Sequence, residues 1–401
     1  MKGLVIIHEI HPKQGSECRS GYNFLKKIIE YCQNNTNAYI DIIIPFTNLF
    51  GSSHYYNDLV IDLQKLPYNV NIVPVKHSKL PFISNLLLYV QKKRGGSGSP
   101  IIYYFFYKIW LLKIRKVIND KNYNFIHLYN HINFFPIVDF STVTKNWILG
   151  PVTGISDLPK SFRSSPKEFF RLLLQKYYLQ KLSKFCNKIN TVYAVSEADE
   201  NFFNKCGVKN VIRLPEQCFD KVPDLIPKKF EKLKIIWIGE LVSRKQLEIL
   251  LQATSNLEIP YEIHIVGDGP LKLHYIKMAQ KYNVNSKFYG KINRDEVFNL
   301  LKTSHVLAHT SYREGTATTI LEALSMNNFV IAHKIGGQDL VVRSNGMILD
   351  LISFDYSVKM FSEQLTKLYY GVIDDKIKFN LSASNFLTWE NLFNEILKSY
   401  L

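Results

Sequence analysis

The stretch SYREGTATTILEAL (311–324) places Glu314 and Glu322 eight residues apart, on either side of small residues that lead into an apolar helix start. A core helix needs neither carboxylate. Gly315, Thr316, Ala317 and Thr318 would open that helix, and their small side chains leave backbone N–H groups accessible to an anion such as phosphate. With the helix starting near Ala317, Glu322 sits about 8 Å further along it, a separation suited to two different parts of one ligand. Arg244 and Lys245, at another predicted helix start, can supply the positive charge that a diphosphate requires.

These residues need elements to hold them. The segments GLVIIHEIHPKQGSECRSGYNFLKKI at the start and KLKIIWIGELVSRKQLEILLQA at 232–253 each run from a β-branched stretch through a polar loop into a helix-period stretch. That is the opening βα unit of a doubly wound domain, and two of them predict two such domains. Further strands are predicted at 38–46, 69–75, 124–129, 146–150 and 191–196, then at 261–270, 286–292, 305–311 and 328–334. Strands alternating with helical spacings predict parallel sheets with binding sites at the strands' carboxyl ends. The stretch 220–232, with two prolines and mixed charge, reads as the connection between domains. Gly95–Ser99, inside RGGSGSP (94–100), has the composition of a flexible linker, whether natural or engineered.

At 401 residues the chain exceeds one ordinary core, and 46% hydrophobic residues supply enough apolar material for two. The net charge of +16 points to an anionic partner. Five cysteines, odd in number and never in a Cys-x-x-Cys pair, argue against a disulfide framework or a structural zinc site and fit a reducing cytoplasm. The first residues read as a strand rather than a signal peptide, and the longest apolar stretch, 101–112, contains Lys108 and is too short to span a membrane.

The motifs also occur in a familiar order. REGTATTILEALSMNNFVIAHKIGG resembles the Glu-x7-Glu signature of retaining glycosyltransferase family 4, the glycosyl transferases group 1, in its bacterial surface-polysaccharide form. HIVGDGPLK and WIGELVSRKQLEILLQA resemble two further motifs of its nucleotide-binding domain. HPKQGSECRSGYNF looks like the glycine-containing first loop, and FIHLYN with WILGPVTGISDLP looks like the histidine loop and Gly-Pro-x-x-Gly turn of a bacterial subgroup.

The resemblance implies an α/β chain of GT-B fold, two facing Rossmann-like domains with a cleft between them. It implies an acceptor-side domain at 1–220, a nucleotide-sugar-binding domain at 221–380 and a helix in 381–401 crossing back to the first. It further implies transfer with retention from a UDP- or GDP-type sugar to a glycan or lipid-linked glycan, with no cofactor and no catalytic metal. No Asp-x-Asp pair of the kind that holds a metal on a sugar diphosphate occurs. By resemblance Glu314 lies against the donor sugar and stabilises an oxocarbenium-like transition state, and Glu322 binds the ribose hydroxyls. His127, with His131 as its competitor, contacts the donor sugar. Gly15, Gly267, Lys245 and Tyr289, beside Gly290, contribute to donor binding. Glu240 departs from the family pattern: it stands where an arginine commonly holds the diphosphate, so that either Arg244 substitutes or donor binding is arranged differently.

The stretches 105–120 and 167–185 mix aromatic and basic residues at helical spacing. Each is either a core-packed helix with a basic outer face or a surface for anionic lipid, which would put the protein at the inner face of the plasma membrane. No aromatic RNA-binding signature or groove-reading helix accompanies the charge, and no nucleic-acid partner is expected. The competing functions are a sugar-nucleotide epimerase of the same architecture and a non-catalytic basic lipid- or nucleic-acid-binding protein on a degenerate transferase fold.

Overall fold

A computed structural model describes residues 1–8, 10, 16–45, 66–75, 100–118, 122–129, 131–132, 138–155, 158–162, 166–221, 228–343, 346–374 and 387–401. Gly15, residues 94–99 of the Gly/Ser run and residues 222–227 of the 220–232 connection lie outside them.

Two compact units result. Met1–Ile155, Phe170–Glu216 and Trp389–Leu401 form the first, and Ser156–Phe169 with Gln217–Thr388 the second. This departs from contiguous blocks at 1–220 and 221–380, for a packing reason: Leu158 and Phe162 are buried in the second unit's core. Trp389–Leu401 likewise belongs with the first unit.

In the first unit the described strands are β1 (Lys2–Ile7), β2 (Tyr39–Pro45), β3 (Val70–Val75), β4 (Phe125–Tyr129), β5 (His131–Ile132), β6 (Trp147–Thr153), β7 (Thr191–Ala194) and β8 (Asn210–Arg213). They pair in parallel in the order β3-β2-β1-β4-β6-β7-β8, with β5 alongside β6. Runs such as KGLVII are buried on both faces beyond the first residue, as a helix-covered parallel sheet requires. Helices α1 (Ser16–Asn34), α2 (Pro100–Ile118), α3 (Pro166–Cys186, in this unit from Phe170 onward) and α4 (Glu197–Lys205) follow strands or precede them. Helix α2 buries Tyr107, Trp110, Leu111, Ile114 and Ile118, each contributing about 1.5–3 kcal/mol through removal from water. Ser196 and Asp199 close a capping box at the start of α4, so its entry is fixed by side chains.

The second unit holds β9 (Leu233–Ile238), β10 (Tyr261–Val266), β11 (Ser286–Gly290), β12 (Val306–His309), β13 (Phe329–His333) and β14 (Gly346–Leu349). All described pairings are parallel, and the order is β11-β10-β9-β12-β13-β14. Numbered within the unit this is 3-2-1-4-5-6, the doubly wound order. The chain winds outward from β9 to one side and from β12 to the other, which leaves a crevice where their carboxyl ends diverge. Helices α5 (Leu247–Ser255), α6 (Lys272–Lys281), α7 (Arg294–Thr303), α8 (Thr318–Ser325), α9 (Gln338–Val342) and α10 (Phe354–Ile373) cover the sheet through two apolar clusters. The last helix, α11 (Trp389–Leu397), packs on α1, with Phe393 against Phe24 and Tyr31 and an ion pair between Lys27 and Glu390 at 2.7 Å.

Candidate active site

The loops that leave β9 and β12 are tied together by backbone. The Thr310 hydroxyl donates to the Lys245 carbonyl at 2.7 Å, and the Tyr312 N–H and Ser311 hydroxyl both donate to the Arg244 carbonyl at 3.1 Å. Trp237 Nε1 in turn donates to Thr310 Oγ1 at 3.0 Å, from inside the sheet. The short turn Ser243–Lys245 is therefore clamped to the segment that carries Glu314. Arg244 Nη1 reaches Glu314 Oε1 at 2.8 Å, the Lys245 ammonium pairs with the same oxygen, and the Ser311 hydroxyl approaches it at 3.4 Å. Burial would raise the Glu314 pKa, but Lys245, His309 and Arg244 together hold it below the usual carboxylate range.

Two glycines make the approach possible. Gly336 has φ +52°, and a Cβ there would stand 2.0 Å from the Gly315 carbonyl oxygen, which accepts from the Gly337 N–H at 3.2 Å. The turn after β13 thus braces the loop between the glutamate and α8. Gly267, with φ +133°, lies against the backbone of Gly239, where a Cβ would fall 1.8 Å from the carbonyl oxygen. Its role in the structure is to let the β10 loop support the β9 loop, and the stem of Lys245 packs over Gly239. Helix α8 then starts at Thr318 behind Ala317, which offers no capping side chain, so Gly315, Thr316 and Ala317 precede the helix rather than open it.

Residues 221–371 match the family model described as Glycosyl transferases group 1. That match lies within the second unit and covers most of it. Among curated relatives, one of the subunits of human phosphatidylinositol N-acetylglucosaminyltransferase is 25% identical over 190 residues, 45% of this chain and 38% of that protein. A poly(ribitol-phosphate) alpha-N-acetylglucosaminyltransferase of Staphylococcus aureus is 24% identical over 238 residues, 55% of this chain and 46% of its own length. The match thus spans less than half of either relative. Among solved structures, the apo form of a lipopolysaccharide outer core galactosyltransferase superposes with a TM-score of 0.60 over 100% of both chains at 12% identity. The two-unit α/β architecture is the GT-B fold.

Within the second unit the expected residues do not all gather at one point. Arg244, Lys245, Glu314 and Gly315 form the cluster just described. Glu322 lies in the second turn of α8 and pairs with Arg294 at 3.2 Å, on the side of α7. Tyr289 lies on the edge strand β11, its hydroxyl bonded to His264 Nδ1 at 2.7 Å and its ring beneath the Lys287 ammonium. Glu240 is exposed. Residue type and motif spacing do not reveal His309, the last residue of β12, which is 3% exposed and has, among the described residues, no hydrogen-bond partner for either ring nitrogen. The only sequence signal is a histidine in the otherwise apolar strand VLAH.

In the first unit His127 occupies a place that corrects its expected role. It is fully buried on β4, where Nε2 lies 2.8 Å from the Gly150 carbonyl and Nδ1 lies 2.6 Å from the Tyr400 hydroxyl. A carbonyl only accepts, so Nε2 carries the proton and Tyr400 donates to Nδ1. Burial lowers the His127 pKa to about 3, in keeping with this neutral tautomer. With both nitrogens engaged it offers nothing to a donor sugar, and it anchors Tyr400, which stacks on Phe125 at 3.9 Å. The side chain of His131 lies outside the described residues, as does Gly15.

Proposed function

We propose that the protein is a retaining, metal-independent glycosyltransferase that moves a sugar from a UDP- or GDP-type donor to a growing surface glycan, either free or lipid-linked. The observation that carries this is the convergence of Arg244 and Lys245 on Glu314 at the switch point of the second unit. Two cations there can receive a diphosphate leaving group, and a carboxylate between them can stabilise positive charge developing on the sugar. Arg244, held by its carbonyl, takes the place of the arginine that the family commonly carries at the position of Glu240. The small residues 315–317 give the phosphates a route to the uncapped start of α8, whose N–H groups favour an anion. Glu322, further along α8, is the residue for the ribose.

The test is thermal stabilisation by a panel of nucleotide sugars, followed by product analysis. N-acetylglucosamine donors stand first in the panel because the two curated relatives above are named N-acetylglucosaminyltransferases. Stabilisation by a UDP or GDP sugar, with transfer only when an acceptor is supplied, is the expected result. Turnover of donor without acceptor would instead mark an epimerase, and silence across the panel would mark a non-catalytic protein.

The acceptor side of the proposal places the first unit on an anionic membrane surface. Among the described residues no helix is long and apolar enough to cross a membrane. Helix α2, however, exposes Ile109, Leu112 and Val117 along with Lys108 and Lys116 on its outer side. Apolar side chains interleaved with lysines suit an interface with anionic lipid. Helix α3 repeats the pattern with Phe169, Leu173 and Tyr177 exposed at intervals of four, and Lys181 over the Tyr177 ring. Replacing Lys108 and Lys116 with glutamine should release the protein from phosphatidylserine vesicles, and unchanged binding would return these helices to a purely structural role.

A further inference from the structure

His309 ends β12, five positions before Glu314 and within electrostatic reach of Arg244, Lys245 and Glu314, and it is buried with no hydrogen-bond partner for either ring nitrogen among the described residues. A buried imidazole with two idle nitrogens costs free energy in the ligand-free state, and such costs are usually offset when a partner arrives. The charged and titratable groups that face it are few. Lys245 and Arg244 come from the turn after β9, Glu314 from the segment after β12, and His333 from β13. His333 is itself engaged on both sides, with Nδ1 at 3.1 Å from the Ser311 carbonyl and Nε2 at 3.0 Å from Ser357 Oγ. It has no nitrogen left for His309. Glu314, by contrast, has both its cations on one oxygen, Oε1.

We propose that His309 is a positioning residue of the donor site: when a diphosphate draws Arg244 and Lys245 off Glu314, the carboxylate turns to the buried imidazole, which takes up one proton from solvent to receive it. This rests on the donor-site reading above. In the ligand-free state burial and the two cations keep His309 neutral, and only Glu314 favours its charged form. A bound diphosphate adds negative charge and neutralises Lys245 and Arg244, leaving Glu314 facing a histidine whose protonation only burial and the His333 imidazole then oppose. The imidazolium–carboxylate pair then holds Glu314 in place beneath the sugar without the cations that held it before. Donor binding is therefore linked to proton uptake, and the linkage is reciprocal: mild acid should tighten binding.

The experiment is titration calorimetry of the full chain with UDP-glucose, UDP-N-acetylglucosamine and GDP-mannose, whose diphosphates do not titrate near neutrality. Each titration is run in buffers of different ionisation heat. The slope of observed heat against buffer heat gives the protons taken up, expected as a fraction of a proton per ligand that grows as pH falls from about 8 toward about 5. Carbon-13 labelled histidine should show one imidazole changing from the neutral to the charged signal as ligand is added, a readout that needs no variant. In His309→Gln, which can bond a carboxylate but cannot take the charge, binding should persist and uptake vanish.

Binding without uptake in the wild type overturns the proposal while leaving the donor site standing. Uptake that survives in His309→Gln assigns the proton to Glu314 and overturns it equally. Absence of binding by all three donors removes the donor-site reading and this inference with it.

Discussion

Tyr400→Phe isolates one atom on which the first unit's core depends. The ring would keep its stacking on Phe125, so the change removes a hydroxyl and little apolar contact. What is lost is the donor to His127 Nδ1, and the imidazole nitrogen is left buried with no water to replace it. An orphaned buried acceptor costs about 1–3 kcal/mol. For a unit of roughly 200 residues, each kcal/mol moves the midpoint by about 2–4 °C, so the first unit's thermal transition should fall by about 2–12 °C. Scanning calorimetry is the assay, because it separates the transitions of the two units. Transferase activity below the lowered transition should stay within about twofold of wild type, since His127 is assigned no contact with substrate. A midpoint unmoved within about 1 °C would refute the hydrogen-bond account. A large loss of turnover without loss of stability would return His127 to the chemistry.

The other predictions concern the second unit. Glu314→Gln should lower turnover by about 10²–10³ while the fold survives, and Lys245→Ala should weaken nucleoside diphosphate binding; wild-type kinetics in either would remove the assigned role. Gly336→Ala should disturb the loop at Gly315 and loosen nucleotide binding more than it changes the secondary structure, as read by ligand-induced stabilisation and circular dichroism. Acid should separate the units. Burial lowers the pKa of His309 to about 3 and that of His333 to about 4, against about 6.5 unfolded, so the stability they contribute is whole above about pH 6.5 and is lost as pH falls. Two protons amount to about 3 kcal/mol per pH unit between about pH 6 and 4.5. In the first unit His127 behaves likewise, but Asp199, raised to about 7 by burial, has the opposite sign, gaining stability as pH falls from its folded value toward its unfolded one. The first unit's midpoint should therefore change much less than the second's over this range, and parallel losses in calorimetry would contradict these assignments.

The sheets were legible because parallel strands buried on both faces read as β-branched runs, and the strands read from the sequence coincide with those observed to within a few residues. Strands β5, β8 and β14 escaped because HI, NVIR and GMIL are too short to form that run, the last two lying at sheet edges. The Glu314 cluster was legible because spacing along the chain is preserved locally, and the partners Arg244 and Lys245 came with their own motif. His127 was misread for the opposite reason. A histidine at a strand end looks the same whether it faces a ligand or a tyrosine far along the chain. His309 carried only the signal of a histidine in an apolar strand; its unmet hydrogen-bonding capacity is disclosed by its three-dimensional surroundings alone.

The bond between His127 and Tyr400 spans 273 positions of chain, and Tyr193 and Asn146 also bond to Ser399 beside it. During synthesis the first sheet would emerge from the ribosome long before the segment that closes its core. The nascent first unit must wait, its aromatic pocket around Phe125 open, while the whole second sheet is made. A released chain ending before Trp389 should hold a folded second unit and a protease-sensitive first one, and a chaperone that binds exposed aromatic surface would find its site there.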